Sequence, residues 1–156
     1  MHITFIQTGG TIDKDYPRGK NHHGYAFLIG EPAVKKILDT HHVRFSYEIL
    51  TLLKKDSLDI TDGDRTKLVR SVVRTKNAKI IITHGTDTLL KTAEALSNIQ
   101  GKTVVLTGAM LPAKFAESDA AFNIGMAVAG VQSLPPGIYI ALSGVIVPWK
   151  QYTNKK

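Results

Sequence analysis

The chain has 156 residues, 43% hydrophobic and 21% charged, with no cysteine and with 20 Lys+Arg against 13 Asp+Glu for a formal charge of +7. This balance excludes a mini-protein scaffold, global disorder, a disulfide framework and thiolate metal sites, and no apolar run approaches the ~18 residues of a membrane span. Residues 1–6 carry no charged region, long apolar stretch or small-residue cleavage site. One domain of a cytoplasmic protein is therefore expected. The basic residues are scattered in ones and twos, with a small cluster only at Lys155 and Lys156. That scatter reads as a solvated basic surface rather than a specific nucleic-acid footprint.

Strand and helix patterns alternate along the chain. Residues 3–7 form a β-branched and aromatic run that predicts a first strand. Residues 13–30, broken by Pro17, Gly19 and Gly24, predict a mobile surface loop. Glu31-Pro32 opens a short helix, since proline at the first turn loses no bond there. Residues 45–50 alternate and predict a strand near a sheet edge. From about Asp62, Leu68, Val69, Val72 and Val73 mark the apolar face of a second helix. Residues 80–83, 103–106 and 138–142 are near-continuous apolar runs, as strands buried on both faces require. Leu89, Leu90, Ala93 and Leu96 mark a third helix. Ser118 is placed to cap a fourth, with Ala121, Phe122, Gly125, Val128 and Ala129 as its inner face. The expected fold is α/β: a mostly parallel sheet between two helix layers.

In such a fold ligands bind beyond the carboxyl ends of the strands. Three strands there run into Thr8-Gly9-Gly10-Thr11-Ile12, His84-Gly85-Thr86-Asp87-Thr88 and Thr107-Gly108-Ala109-Met110. The glycines suit tight turns, yet the flanking β-branched threonines are poor turn formers. The loop around Gly10 matches neither phosphate-binding fingerprint. Asp or Thr at residues 86–88 suits a helix cap, but a cap needs one such residue, and three are present. The pairs His22-His23 and His41-His42 lack acidic or thiol partners at metal-site spacing, so no metal is expected.

These three motifs, with Asp56-Ser57-Leu58-Asp59 and residues 118–123, resemble in order and spacing the signatures of the bacterial-type L-asparaginase/glutaminase family. The resemblance spans nearly the whole chain. It implies the family's N-terminal α/β domain over residues 1–156, with no counterpart of its smaller C-terminal domain. It also implies hydrolysis of a side-chain amide such as asparagine's to the acid and ammonia, without metal or organic cofactor, in a homo-oligomer away from membranes. Thr11 matches the nucleophile. Thr86 and Asp87 match a second hydroxyl and its acidic partner, with Asp87 also receiving the substrate ammonium. Ser57 matches a ligand of the α-carboxylate, Ala109 offers a carbonyl to the amide nitrogen, and N–H groups near Gly10 and Thr86 match the oxyanion hole. The loop of residues 13–30 matches a lid whose tyrosine is Tyr16 or Tyr25. Counting from Pro148-Trp149 places Asn154 where the family carries its lysine base. Lys155, one residue later, is the candidate for that role, with Lys150 a second.

Overall fold

In the computed structural model, which describes residues 1–16 and 27–153, these patterns become eight strands and four α-helices among the described residues. In chain order they are β1 (His2–Gly9), β2 (Lys14–Asp15), β3 (Leu28–Ile29), α1 (Ala33–Thr40), β4 (Ser46–Lys55) and α2 (Asp62–Arg74). There follow β5 (Lys79–Thr83), α3 (Leu89–Ala95), β6 (Thr103–Thr107), α4 (Ala120–Ser133), β7 (Gly137–Leu142) and β8 (Val145–Pro148). The main sheet has the order β4-β1-β5-β6-β7-β8, parallel except for β8, which returns antiparallel on β7.

Alternate residues of each strand serve opposite layers. Phe5, Ile81, Val105 and Tyr139 join Val34 and Leu38 of α1 and Ile124 and Ala127 of α4. Ile6, Ile80, Ile82 and Leu106 join Leu68 and Val72 of α2 and Leu89 and Ala93 of α3. Burying each large aliphatic side chain contributes about 1.5–3 kcal/mol, which is why the sheet is covered on both faces. The five parallel strands lie in the spatial order second, first, third, fourth, fifth. The winding direction therefore reverses between β1 and β5.

The expected edge position of residues 45–50 is realised in β4. This strand runs on to Lys55, because Gly9 pairs with Lys55 after a register shift at the end of β1. Helix α2 begins with a reciprocal cap, in which Thr61 Oγ1 accepts the Asp64 N–H at 3.2 Å and Asp64 Oδ2 accepts the Thr61 N–H at 3.0 Å.

Three local expectations are corrected. Val73 and Leu90 face solvent, so α2 and α3 bury narrower faces than their apolar residues suggest. In α4 the buried residues are Ala120, Asn123, Ile124, Ala127, Gly130 and Val131, whereas Phe122 is 64% exposed. Helix α4 lies so close to β8 at Gly130 that a Cβ there would stand 2.0 Å from Ile146 Cδ1, so this point of the inner face leaves no room for a side chain. The expected loop of residues 13–30 is ordered at its two described ends, where Asp13 is buried and β2 pairs with β3, and residues 17–26 lie outside the described residues. Among the described residues no helix is long and apolar enough to cross a membrane.

Candidate active site

The reversal between β1 and β5 brings the first two motifs side by side, and glycines let them touch. Gly9 and Gly10 have φ of 112° and 91°, which side-chain-bearing residues rarely adopt. A Cβ on Gly10 would lie 2.3 Å from the Gly85 nitrogen. One on Gly85 would lie 2.6 Å from Ser57 Cβ, and one on Gly108 would lie 2.3 Å from the His84 carbonyl oxygen. Contacts from Gly10 through Gly85 to Ser57, and from Gly108 to His84, thus gather the loops after β1, β5 and β6 and the turn after β4. Gly10, Thr11, Ser57, Thr86, Asp87 and Ala109 all lie on these four segments.

The threonines divide by what their hydroxyls do. Thr8 donates to the Thr83 carbonyl at 2.8 Å, Thr107 to the Ala141 carbonyl at 2.7 Å and Thr88 to the Ser57 carbonyl at 2.7 Å. Thr88 stands at the N-cap of α3, just before Leu89, yet its hydroxyl goes to the Ser57 carbonyl rather than to a helix N–H. The capping explanation is therefore not realised at Thr88. Thr11 and Thr86, half-buried, hold no hydrogen bond from their hydroxyls to another described residue. Gly10 donates its N–H to the Lys55 carbonyl at 3.0 Å, so that donor is already engaged.

The third loop is held from behind by α4. Asn123 Nδ2 donates to the Gly108 carbonyl at 3.0 Å and to Asp119 at 2.9 Å, while its Oδ1 accepts the Ser143 N–H at 3.0 Å. Asp119 accepts the N–H groups of Met110 and Leu111 at 3.0 and 3.1 Å. Ser118 accepts the Ala120 N–H at 3.1 Å and donates to the Leu111 carbonyl at 2.9 Å. Residues 118–123 therefore buttress the buried Ala109.

The Thr11 turn is anchored by Asp13. Its Oδ1 accepts the Ala33 N–H at 2.8 Å, and its carbonyl accepts the Gly30 N–H at 2.8 Å. Asp13 Oδ2 is buried without a hydrogen-bond partner. Burial pushes the Asp13 carboxyl up to about 6. Tyr16 stacks on Phe27 at 4.8 Å between ring centres, and Phe27 meets Phe115 at 5.8 Å. Lys114 pairs with Asp15 and stands 5.8 Å from the Tyr16 ring centre. Asp56, beside Ser57, pairs with Lys14 at 3.0 Å, which holds its carboxyl below the usual range.

His84 is fully buried, and desolvation lowers its imidazole to about 4. Sequence reasoning placed His84, Asp119 and Asn123 within its motifs but gave them no role, and it did not single out Asp13. One signal was legible: Arg65 shares a helical face with Leu68 and Val72, and a charge on an apolar face implies a buried polar partner. Lys150 lies exposed with its ammonium 5.7 Å from the Trp149 ring centre. Tyr25, Lys155, Asn154 and the pair His22-His23 fall outside the described residues.

Residues 2–153 match the family model described as asparaginase, N-terminal. An L-asparaginase from Thermococcus kodakarensis is 32% identical over 153 residues, covering 94% of this chain and 45% of that protein. A solved structure of the T. kodakarensis enzyme superposes with a TM-score of 0.79 at 33% identity, over 96% of this chain and 46% of that one. A component of the glutamyl-tRNA(Gln) amidotransferase of Methanococcus vannielii is 31% identical over 149 residues, covering 93% of this chain and 35% of its own length. The L-asparaginase I structure from Vibrio cholerae shares the fold with a TM-score of 0.84 at 23% identity, over 99% of this chain and 48% of that one. The chain thus spans less than half the length of each of these relatives. The motifs, the doubly wound sheet and these matches agree: the chain belongs to the asparaginase family, in the part described by its N-terminal domain.

Proposed function

We propose that this domain hydrolyses a side-chain amide, asparagine's or a close relative's, to the acid and ammonia, with Thr11 as nucleophile. The observation that carries this reading is the division among the threonines: of the motif threonines at residues 8, 11, 86, 88 and 107, Thr11 and Thr86 alone hold no hydroxyl hydrogen bond among the described residues. Thr11 Oγ attacks the amide carbon and its proton passes to a base. The tetrahedral intermediate expels ammonia, and water then cleaves the Thr11 ester to release the acid. A hydroxyl needs such a base to act, and Lys155 is our candidate. The N–H groups of Thr11 and Thr86 are the candidate oxyanion donors, since that of Gly10 is engaged. Asp87 receives the substrate ammonium, Ser57 its carboxylate, and Ala109 the amide nitrogen. Tyr16 or Tyr25 serves the lid, and assembly is as a homo-oligomer.

The similarity to an amidotransferase component supports a second reading, in which glutamine's amide is the source of ammonia for a partner protein. Ammonia release from asparagine and from glutamine separates the two. Thr11→Ala and Thr86→Val are expected to reduce turnover by a thousandfold or more, on the order seen when a nucleophile is removed. If the purified chain releases no ammonia from either amide, yet aspartate still raises its melting temperature, the domain binds amino acids without hydrolysing them.

A further inference from the structure

Beneath the Gly85–Thr86 peptide lies a buried chain of polar groups whose hydrogens have only one consistent arrangement. Arg65 Nε stands 3.3 Å from Thr92 Oγ1, Thr92 Oγ1 2.8 Å from His84 Nε2, and His84 Nδ1 2.7 Å from the Gly85 carbonyl oxygen. Arg65 can only donate, because a guanidinium has no acceptor. Its side chain is itself fixed by donation to the Ile60 carbonyl and to Asp62, both at 3.0 Å. A carbonyl oxygen can only accept, so the other end of the chain requires a proton on His84 Nδ1. A neutral imidazole has one N–H, so Nε2 presents its lone pair and takes the Thr92 hydroxyl hydrogen. Each donor then has one acceptor and each acceptor one donor. Full burial, with the positive Arg65 nearby, keeps the ring neutral.

The direction of this chain has a consequence for the neighbouring peptide. In a trans peptide the C=O and the following N–H point opposite ways, and no cis peptide occurs among the described residues. Pinning the Gly85 carbonyl to the His84 ring therefore turns the Thr86 N–H away from it. Among the described residues no protein acceptor meets that N–H. The same histidine is fixed through its backbone, donating its N–H to the Thr107 carbonyl at 2.9 Å, with its own carbonyl packed on Gly108.

We infer that His84 is a positioning residue which, as the Nδ1–H tautomer relayed from Arg65 through Thr92, holds the Gly85–Thr86 peptide so that the Thr86 N–H faces the reacting carbonyl. The inference rests on the reading of Thr86 as an oxyanion donor. It makes no contact between His84 and substrate, and it moves no proton during turnover.

Two measurements test it. In protein labelled with 15N-histidine, the His84 ring is expected to show a protonated Nδ1 and an unprotonated Nε2, unchanged from pH 5 to 8. The residual dipolar coupling of the Thr86 amide reports the peptide's orientation without any turnover. It is expected to match the wild type in His84→Asn, whose amide nitrogen replaces Nδ1, and to change in His84→Leu. In kinetics His84→Leu is expected to lower kcat about tenfold with KM changed less than threefold, and His84→Asn to recover most of the loss. A ring protonated at Nε2, or a Thr86 coupling and kcat that fall alike in the Asn and Leu variants, overturns the inference. A wild-type chain that releases no ammonia while the ring tautomer and couplings behave as expected refutes the amidohydrolase reading and the facing of a reacting carbonyl. It would leave only the pinning of the peptide.

Discussion

Gly10 rests on the backbone of Gly85 so closely that a methyl group on Gly10 would lie 2.3 Å from the Gly85 nitrogen. This contact joins two strand ends that are 75 residues apart in sequence, and Gly85 continues it to Ser57. Close backbone approach, beyond turn formation, is the role these glycines perform.

Gly85→Ala forces its methyl against Ser57 and is expected to cost about 1–3 kcal/mol, the range for overpacked sites. Gly10→Ala adds the strain of a positive φ, about 1–2 kcal/mol more. Both are expected to lose ammonia release beyond their loss of stability. Urea unfolding beside the activity assay checks this, and a fully active, wild-type-stable Gly85→Ala would show that the loops can part without harm.

Asp13 carries a pH signature. Its folded-state carboxyl, pushed up to about 6, holds its proton more tightly than the ordinary value of 3.8. Its contribution is therefore most favourable below that ordinary value and is lost as pH rises through about 6. Asp13→Asn keeps an acceptor for the Ala33 N–H and has no charge to desolvate. The variant is expected to be more stable than the wild type at pH 7.5, by up to about 3 kcal/mol, with the gap closing by pH 4. Equal gaps at both pH values would refute the burial of an ionised carboxylate.

Asp64 behaves oppositely. The ammonium of Lys55 at 2.7 Å and the Thr61 N–H hold its carboxyl well below the usual range. That stability is present above the ordinary carboxylate value near 3.8 and fades as pH falls below it. Asp64→Asn is expected to cost about 1–2 kcal/mol at pH 7, as loss of a good helix cap does, and clearly less at pH 3. Thermal unfolding at the two pH values decides it.

Asn123→Ala leaves the Gly108 carbonyl and the Ser143 N–H without their side-chain partner. Burying unpaired groups of this kind costs about 1–3 kcal/mol each. Amide hydrogen exchange in residues 108–111 is expected to quicken, with ammonia release reduced. If exchange there is unchanged, the third loop does not depend on α4 for its shape.

Much of the architecture is legible in the sequence, because it depends on neighbours in the chain. Runs such as Ile80, Ile81 and Ile82 have no polar face to offer solvent, so they require a sheet covered on both sides, and the observed layers supply it. The alternation at residues 45–50 placed β4 at an edge for the same reason. The motifs themselves marked the loops that the fold gathers at the strand ends, since Gly and Thr side by side exceed what a turn requires.

Contacts between distant residues decided the rest. By residue type alone the five motif threonines look equivalent, and only the fold gives Thr8 the Thr83 carbonyl and Thr88 the Ser57 carbonyl while Thr11 and Thr86 hold no hydroxyl hydrogen bond among the described residues. Helix α4 looked inward through Phe122 by hydrophobicity, but its packing on the sheet turns Phe122 outward and sets Asn123 behind Gly108. Asp13 read as part of a loose polar loop until the return of the chain at Gly30 and Ala33 enclosed it. The charge state of a carboxylate, the tautomer of a histidine and the availability of a hydroxyl depend on what lies within about 3 Å. In a doubly wound fold those neighbours come from strands and helices tens of residues away.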